Sequence, residues 1–160
     1  MLKIGKLAQQ AIAAASYLAE RHDEDARVSA GEIAEARKLS RTVLAKVLAT
    51  LSLRGITSGT TGPTGGYRLA RAPGDISLFE IVSAFERTDV RPMCPFGPHW
   101  CGSGDLCPLH DGITAAAEKV EEFLKTQNLG PFRERKRDGQ RTASSRKSST
   151  QPSPRRRAIR

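Results

Sequence analysis

The chain has no run of about 18 apolar residues anywhere in its 160, which excludes a membrane-spanning helix. It has no G-x-S-x-G, H-E-x-x-H or phosphate-loop motif, so hydrolytic and nucleotide-cleaving chemistry gains no support. It has no internal repeat and no C-x-x-C pair, the usual mark of a structural zinc site. Net charge is also missing from most of it. Up to Phe132 there are 15 Lys and Arg against 15 Asp and Glu, and from Arg133 to Arg160 there are 11 against 2, so the formal +9 lies wholly in the tail. That tail has almost no large apolar side chains to offset the entropy of ordering, which predicts disorder and leaves its cations free to meet polyanions.

The opening segment, with Lys3 and Lys6 ahead of an alanine-rich run, invites comparison with a signal peptide. Gln9, Gln10 and Glu20 interrupt any apolar core, and Ile4, Leu7, Ala8, Ala11, Ile12, Ala15 and Leu18 follow helical spacing. The expectation is an amphipathic helix of a soluble, cytoplasmic protein. After the charged connector "HDEDARV", Ser29 and Glu32 make a capping box for a short helix through about Ala36. Ser40 is then the expected N-cap of a third helix, with Val43, Leu44, Val47, Leu48 and Leu51 as its buried stripe and an end near Gly55. Its other face carries Arg41, Thr42, Ala45, Lys46 and Ala49. Two helices joined by a tight turn, the second small, polar and basic outward, fit a helix-turn-helix.

A strand near Ile56 to Ser58, a Gly/Pro/Thr loop and a return strand near Tyr67 to Leu69 follow, which makes a winged helix. Ser77 and Glu80 cap the next helix, whose stripe is Leu78, Ile81, Val82 and Phe85. Farther on, Leu109, Ile113, Ala116, Val120 and Phe123 recur at the spacing of a coiled-coil seam. A small winged domain leaves such a helix few partners of its own, so dimerisation is expected. The fold class is therefore mainly α. Residues 1–90 form the winged helix-turn-helix DNA-binding domain with a β-hairpin wing, 91–110 a cysteine-rich loop, 111–130 a long C-terminal dimerisation helix and 131–160 the basic tail.

All three cysteines and one histidine lie close together in "CPFGPHWCGSGDLCPLH": Cys94, six residues, Cys101, five residues, Cys107, two residues, His110. Thiolate and imidazole suit zinc or iron–sulfur clusters, and the glycines let amide N–H groups approach sulfur. An odd cysteine count does not suit a disulfide framework. His99 is the reserve ligand, whereas His22 has no metal partners in sequence and is expected to be simply exposed. Unpaired surface thiols, a thiol-based redox sensor and an electron carrier are the competing readings.

The stretches "LSRTVLAKVLATLSLRGI", "GPTGGYRLAR" and "ISLFEIVSAFE", followed by three cysteines ahead of a long helix, resemble the Rrf-two family of bacterial transcription regulators from Met1 to about Leu129. The resemblance implies a homodimer that reads a palindromic operator in double-stranded DNA. It also implies an iron–sulfur cluster, [2Fe–2S] favoured and [4Fe–4S] possible, held by Cys94, Cys101 and Cys107 and reporting iron–sulfur status, nitric oxide or oxidative stress. His110 occupies the fourth-ligand position of IscR-like members, while the helix-one carboxylate of NsrR-like members is absent, with Ala8, Gln9 and Gln10 in that region. The first inter-cysteine gap carries one residue more than the family usually has. Ala45 and Thr61 replace an acidic residue and a wing arginine that IscR-like members use on DNA, so the operator differs. On this reading Ser40, Arg41, Thr42 and Lys46 face DNA from the recognition helix, and Thr61, Thr64 and Arg68 from the wing.

Overall fold

The computed structural model describes residues 4–24, 27–62, 65–87 and 107–134. Helix α1 spans Lys6–Glu20, α2 Ala30–Arg37, α3 Arg41–Leu53, α4 Leu78–Ser83 and α5 His110–Thr126, and strands β1 (Thr57–Thr60) and β2 (Gly66–Leu69) lie between α3 and α4. The chain folds around α1. Its residues Ala8, Ala11, Ala14, Ala15 and Ala19 are fully buried, and small side chains let neighbouring helix axes come close. Helices α2, α3 and α4 and strand β2 all pack on it.

Two local devices set the helix-turn-helix. Ser29 Oγ accepts from Glu32 N at 3.1 Å to start α2. At its end Lys38 takes a left-handed conformation, φ 53°, and Leu39 N donates to Ala34 O at 2.8 Å, the bond pattern that closes a helix C-terminus. The chain turns at once into α3, whose Leu44, Val47, Leu48 and Leu51 are fully buried in the main core. Helix α3 ends through Gly55 at φ 67°, a conformation that costs glycine little.

The wing is a two-stranded antiparallel hairpin with Thr57 opposite Leu69 and Thr60 opposite Gly66. A third piece of chain joins it: Val28 exchanges both backbone hydrogen bonds with Tyr67, at 2.9 and 2.8 Å. This approach requires Gly66, where an added Cβ would fall 2.7 Å from the Val28 carbonyl oxygen. Ser52 and Thr57 hydroxyls, 2.9 Å apart, tie the end of α3 to β1.

Helix α5 is seated at its C-terminal end. Leu124 is buried with Ala8 of α1 and Val82 of α4, and Lys125 stands over the Phe79 ring at 5.1 Å. Beyond it the chain returns along the helix α4 entrance, with Leu78 N donating to Gln127 O (2.9 Å) and Leu129 N to Pro73 O (3.1 Å). A last helical turn over 130–134 lays Phe132 on the main core. Arg133 pairs with Asp23 at 2.6 Å.

Several expectations change. Leu7, placed in the α1 stripe, is 47% exposed, because the central helix buries its alanines and turns this position outward. Both capping boxes form only their N-cap half: Ser77 Oγ accepts from Glu80 N at 3.1 Å, but the Glu80 and Glu32 carboxylates go to Arg71 and Arg21. Ser40 is the N-cap of α3 by position and makes no side-chain capping bond. The connector after α1 contains a 3₁₀ turn, His22–Glu24, and the Val28 bridge. His22 is half-buried rather than exposed. The structured chain continues through Glu134, past residue 131 where the tail was expected to begin. The expected disorder of the tail lies otherwise outside the described residues.

A polar cluster ties α1 to α2. Tyr17 Oη donates to Glu32 Oε1 (2.9 Å) and accepts from Arg21 (2.8 Å), while the Arg21 and Arg37 guanidinium groups each lie 5.1 Å from its ring centre. Burial, followed by the hydrogen bond to Glu32, raises the Tyr17 pKa above 10.0. The folded state therefore holds this proton more tightly, and the associated stability is present below pH 10 and lost as pH rises above it.

Replacing Leu48 with Ala should cost about 2–5 kcal/mol in urea unfolding, as for other fully buried leucines. Leu53→Ala, at a position 88% exposed, should change stability by no more than about 0.5 kcal/mol.

Candidate nucleic-acid interface and cysteine segment

Helix α3 presents a continuous outer face. Ser40, Arg41, Thr42, Ala45, Lys46 and Ala49 are exposed, and each lies opposite the buried Leu44, Val47, Leu48 and Leu51. Small residues at 45 and 49 keep this face slim, and the cations stand at its N-terminal half. Arg41 reaches back toward α2, its Nη2 lying 3.9 Å from where a Cβ on Gly31 would be. The Arg41 side chain thus reaches the first turn of α2, and helix N-termini with free N–H groups favour phosphate. The Ser40 hydroxyl is not engaged in capping.

The wing extends from the same helix. Thr60, Thr61 and Gly62 are exposed at its tip, and Arg68 is exposed on β2 across from Ser58. Arg27 Nη1 donates to the carbonyls of Ser58 and Gly66, each at 3.4 Å, bridging the two strands. Neither Arg27 nor the Val28 bridge was identified as a support for the wing from sequence, since a lone Arg-Val after an acidic connector carries no strand signal. Thr64 lies outside the described residues.

Of the four proposed cluster ligands, the described residues include Cys107 and His110. Cys107 is a half-buried free thiol, and its carbonyl accepts from His110 N at 3.0 Å in the turn that begins α5. Cys107 and His110 thereby stand one turn apart in the backbone, at a helix start that no side chain caps. Cys94, Cys101 and the reserve ligand His99 lie outside the described residues. Among the described residues no group of three His, Cys, Asp or Glu is placed to hold a metal ion. The two described donors fit a cluster chemically, as a sulfur and an imidazole nitrogen with hydrogen-bond donors of a helix N-terminus beside them.

The α5 seam is bare. Leu109 and Phe123 are each 55% exposed and Val120 is 37% exposed. Ile113 of the same stripe is half-buried, and the α5 residue buried against α1 and α4, Leu124, lies outside the stripe. An isolated leucine one step off a regular seam gives no signal in the sequence.

A helix-turn-helix whose recognition helix continues into a β-hairpin wing defines a winged helix DNA-binding protein. The family model described as the iron-dependent transcriptional regulator Rrf2 matches residues 4–133. The chain belongs to the Rrf2 family, which comprises transcription regulators and not enzymes. It is 33% identical over 117 residues to a putative HTH-type transcriptional regulator of Aquifex aeolicus, covering 72% of this chain and 80% of that protein. It is 30% identical over 108 residues to the HTH-type transcriptional regulator IscR of Xenorhabdus nematophila, covering 68% of this chain and 65% of that one. In fold it is similar to T. potens IscR (TM-score 0.63, 22% identity, 95% of this chain and 94% of that one). It is also similar to CymR, the global cysteine regulator of B. subtilis (TM-score 0.67, 24% identity, 84% and 98%). No helix among the described residues is long and apolar enough to cross a membrane.

Converting both Arg41 and Lys46 to Ala should weaken operator binding at least about tenfold, since contacts to phosphate or base edges contribute roughly 1–3 kcal/mol each. An unchanged gel-shift midpoint and footprint would remove α3 from the interface.

Proposed function

We propose that this regulator works as a cytoplasmic homodimer on a palindromic operator and senses iron–sulfur status, nitric oxide or redox stress through an iron–sulfur cluster. Cys94, Cys101, Cys107 and His110 would hold the cluster, and [2Fe–2S] is favoured over [4Fe–4S]. The observation that carries the reading is that Cys107 and His110 share the backbone turn that starts α5, the helix that also exposes Leu109, Val120 and Phe123. When bound, the cluster supplies one-electron redox chemistry and a reactive inorganic centre. The chain's own residues do the rest. Helix α5 has its donors at one end and Leu124 locked against Ala8 and Val82 at the other, so a change of geometry at residues 107–110 bears on α1. Helix α1 packs on α3, which brings that change to the recognition helix.

Ser40, Arg41, Thr42, Lys46, Thr61, Thr64 and Arg68 are the proposed DNA contacts. Arg41 and Lys46 supply charge in the major groove, the Ser40 hydroxyl meets phosphate, and the wing threonines and Arg68 follow the adjacent backbone. The second reading, a cluster-free repressor that senses oxidants by its thiols, draws support from the free, half-buried Cys107 and the fold shared with CymR.

Protein prepared without oxygen should be coloured, contain iron and give a cluster Mössbauer spectrum, and Cys101→Ala should lose all three. A colourless, iron-free wild type would favour the thiol reading. Val120→Glu with Phe123→Glu should give a monomer by light scattering, and an unchanged mass would move the dimer interface off α5.

A further inference from the structure

A cleft of about 510 Å³ lies where the end of α1 meets the root of the wing. Its walls come from Leu18 and Arg21 at the end of α1, His22 of the 3₁₀ turn, Val28 of the bridge, and Ser58 with residues 67–72 of the hairpin and its exit. Leu18, Val28 and Leu69 are buried and make part of the lining apolar. The two backbone hydrogen bonds between Val28 and Tyr67 fix the spacing of its sides. The cleft is therefore preformed, and its volume is that of ordinary small-molecule sites.

The charged part of the lining is of one sign. Arg21, His22, Arg68 and Arg71 line the cleft, and no Asp or Glu does so among the described residues. Through Phe132 the chain holds 15 Lys and Arg against 15 Asp and Glu, so a wall with basic side chains alone departs from the average surface. Two of the guanidinium groups are held by partners that are not part of the lining. Arg21 pairs with Glu24 and Glu32 and donates to Tyr17 Oη, while Arg71 pairs with Glu80 and donates to the Asp75 carbonyl. A guanidinium has five N–H donors, so these bonds position each group with donors to spare. A bare inorganic anion would leave the apolar lining unfilled, and an apolar molecule would desolvate the cations without pairing them.

We propose that this cleft binds a small organic anion, a carboxylate or phosphate monoester on an apolar body, and that the ligand opposes DNA binding. The anionic group pairs with the basic wall and the apolar body covers Leu18, Val28 and Leu69. The opposition follows from Arg68, which lines the cleft and is one of the proposed wing contacts. It rests on that reading, since a guanidinium committed to a ligand's oxygens is lost to a DNA phosphate. A ligand bound more tightly by the DNA-free protein lowers DNA affinity by the same factor by which DNA lowers its own.

The test titrates the full chain with benzoate and phenyl phosphate by calorimetry and by NMR, with benzamide and inorganic phosphate as controls. Both organic anions should bind with a dissociation constant of about 1 mM or tighter, and benzamide and inorganic phosphate at least about tenfold more weakly. His22→Gln with Arg71→Gln, neither a proposed DNA contact, should weaken phenyl phosphate about tenfold or more. Ala70→Phe, which fills the cleft without removing a charge, should do the same. Failure of both anions to bind, or equal binding of benzamide, overturns the site, as does unchanged affinity in both variants with their folds verified by circular dichroism. Inorganic phosphate that binds as tightly as phenyl phosphate overturns the ligand class and favours a DNA phosphate as the occupant. At matched ionic strength, saturating phenyl phosphate should weaken operator binding about fivefold or more, and an unchanged DNA affinity overturns the antagonism. Should the full chain bind no DNA, the reading of Arg68 falls, while the direct titration still decides the site.

Discussion

The close approach permitted by the alanine face of α1 is the constraint on which this structure depends. Five alanines at 8, 11, 14, 15 and 19 are fully buried, so α1 is thin enough to be packed on several sides at once. The helix-turn-helix and β2 use most of that surface, while α4 and the C-terminal end of α5 use Ala8 and its surroundings. A larger residue at these positions would be overpacked, typically at a cost of about 1–3 kcal/mol. It would also push α4 and α5 away from the helix-turn-helix. Glu86 reinforces the arrangement by accepting a 3.0 Å hydrogen bond from Gly5 N at the helix start, where an acidic group is favoured by the helix dipole.

The two ends of the chain's function are thereby joined through one helix. Helix α3 presents cations and small residues outward because Leu44, Val47, Leu48 and Leu51 fill the core. Helix α5 leaves Leu109, Val120 and Phe123 exposed while Leu124 is buried against α1 and α4. The exposure of Leu109, Val120 and Phe123 costs solubility for a lone chain, a cost that the proposed second copy would remove. The wing is braced independently, by the Val28 bridge and by Arg27 across its strands, so its tip is free to carry exposed polar residues, the proposed DNA contacts.

How much of this was legible in the sequence depended on the length of the repeating pattern. Helix α3 was legible in detail, since Leu44, Val47, Leu48 and Leu51 repeat over several turns and all are buried. The wing was legible from its Gly/Pro/Thr loop, with strand limits shifted by one or two residues. Leu7 was misassigned because periodicity cannot tell an alanine-lined core from a leucine-lined one. Val28 and Leu124 were missed because each makes a tertiary contact that a single residue does not announce. The half-formed capping boxes show the same competition: Glu32 and Glu80 had the right spacing, and arginines that are distant in sequence drew their carboxylates away. The cysteine cluster was legible as chemistry, from residue type and spacing. The localisation of charge was legible from residue counts alone, whereas the seating of Phe132 and Arg133 on the head needed the fold.

The central claim is that events at the start of α5 reach the DNA-reading face of α3 through α1. The most direct measurement is the affinity of cluster-loaded and cluster-stripped protein for the same promoter fragment, in one buffer at one salt concentration. The account predicts that the two dissociation constants differ by about fivefold or more, the range of ordinary coupling between sites. Equal constants, with cluster content verified in both samples, would contradict it.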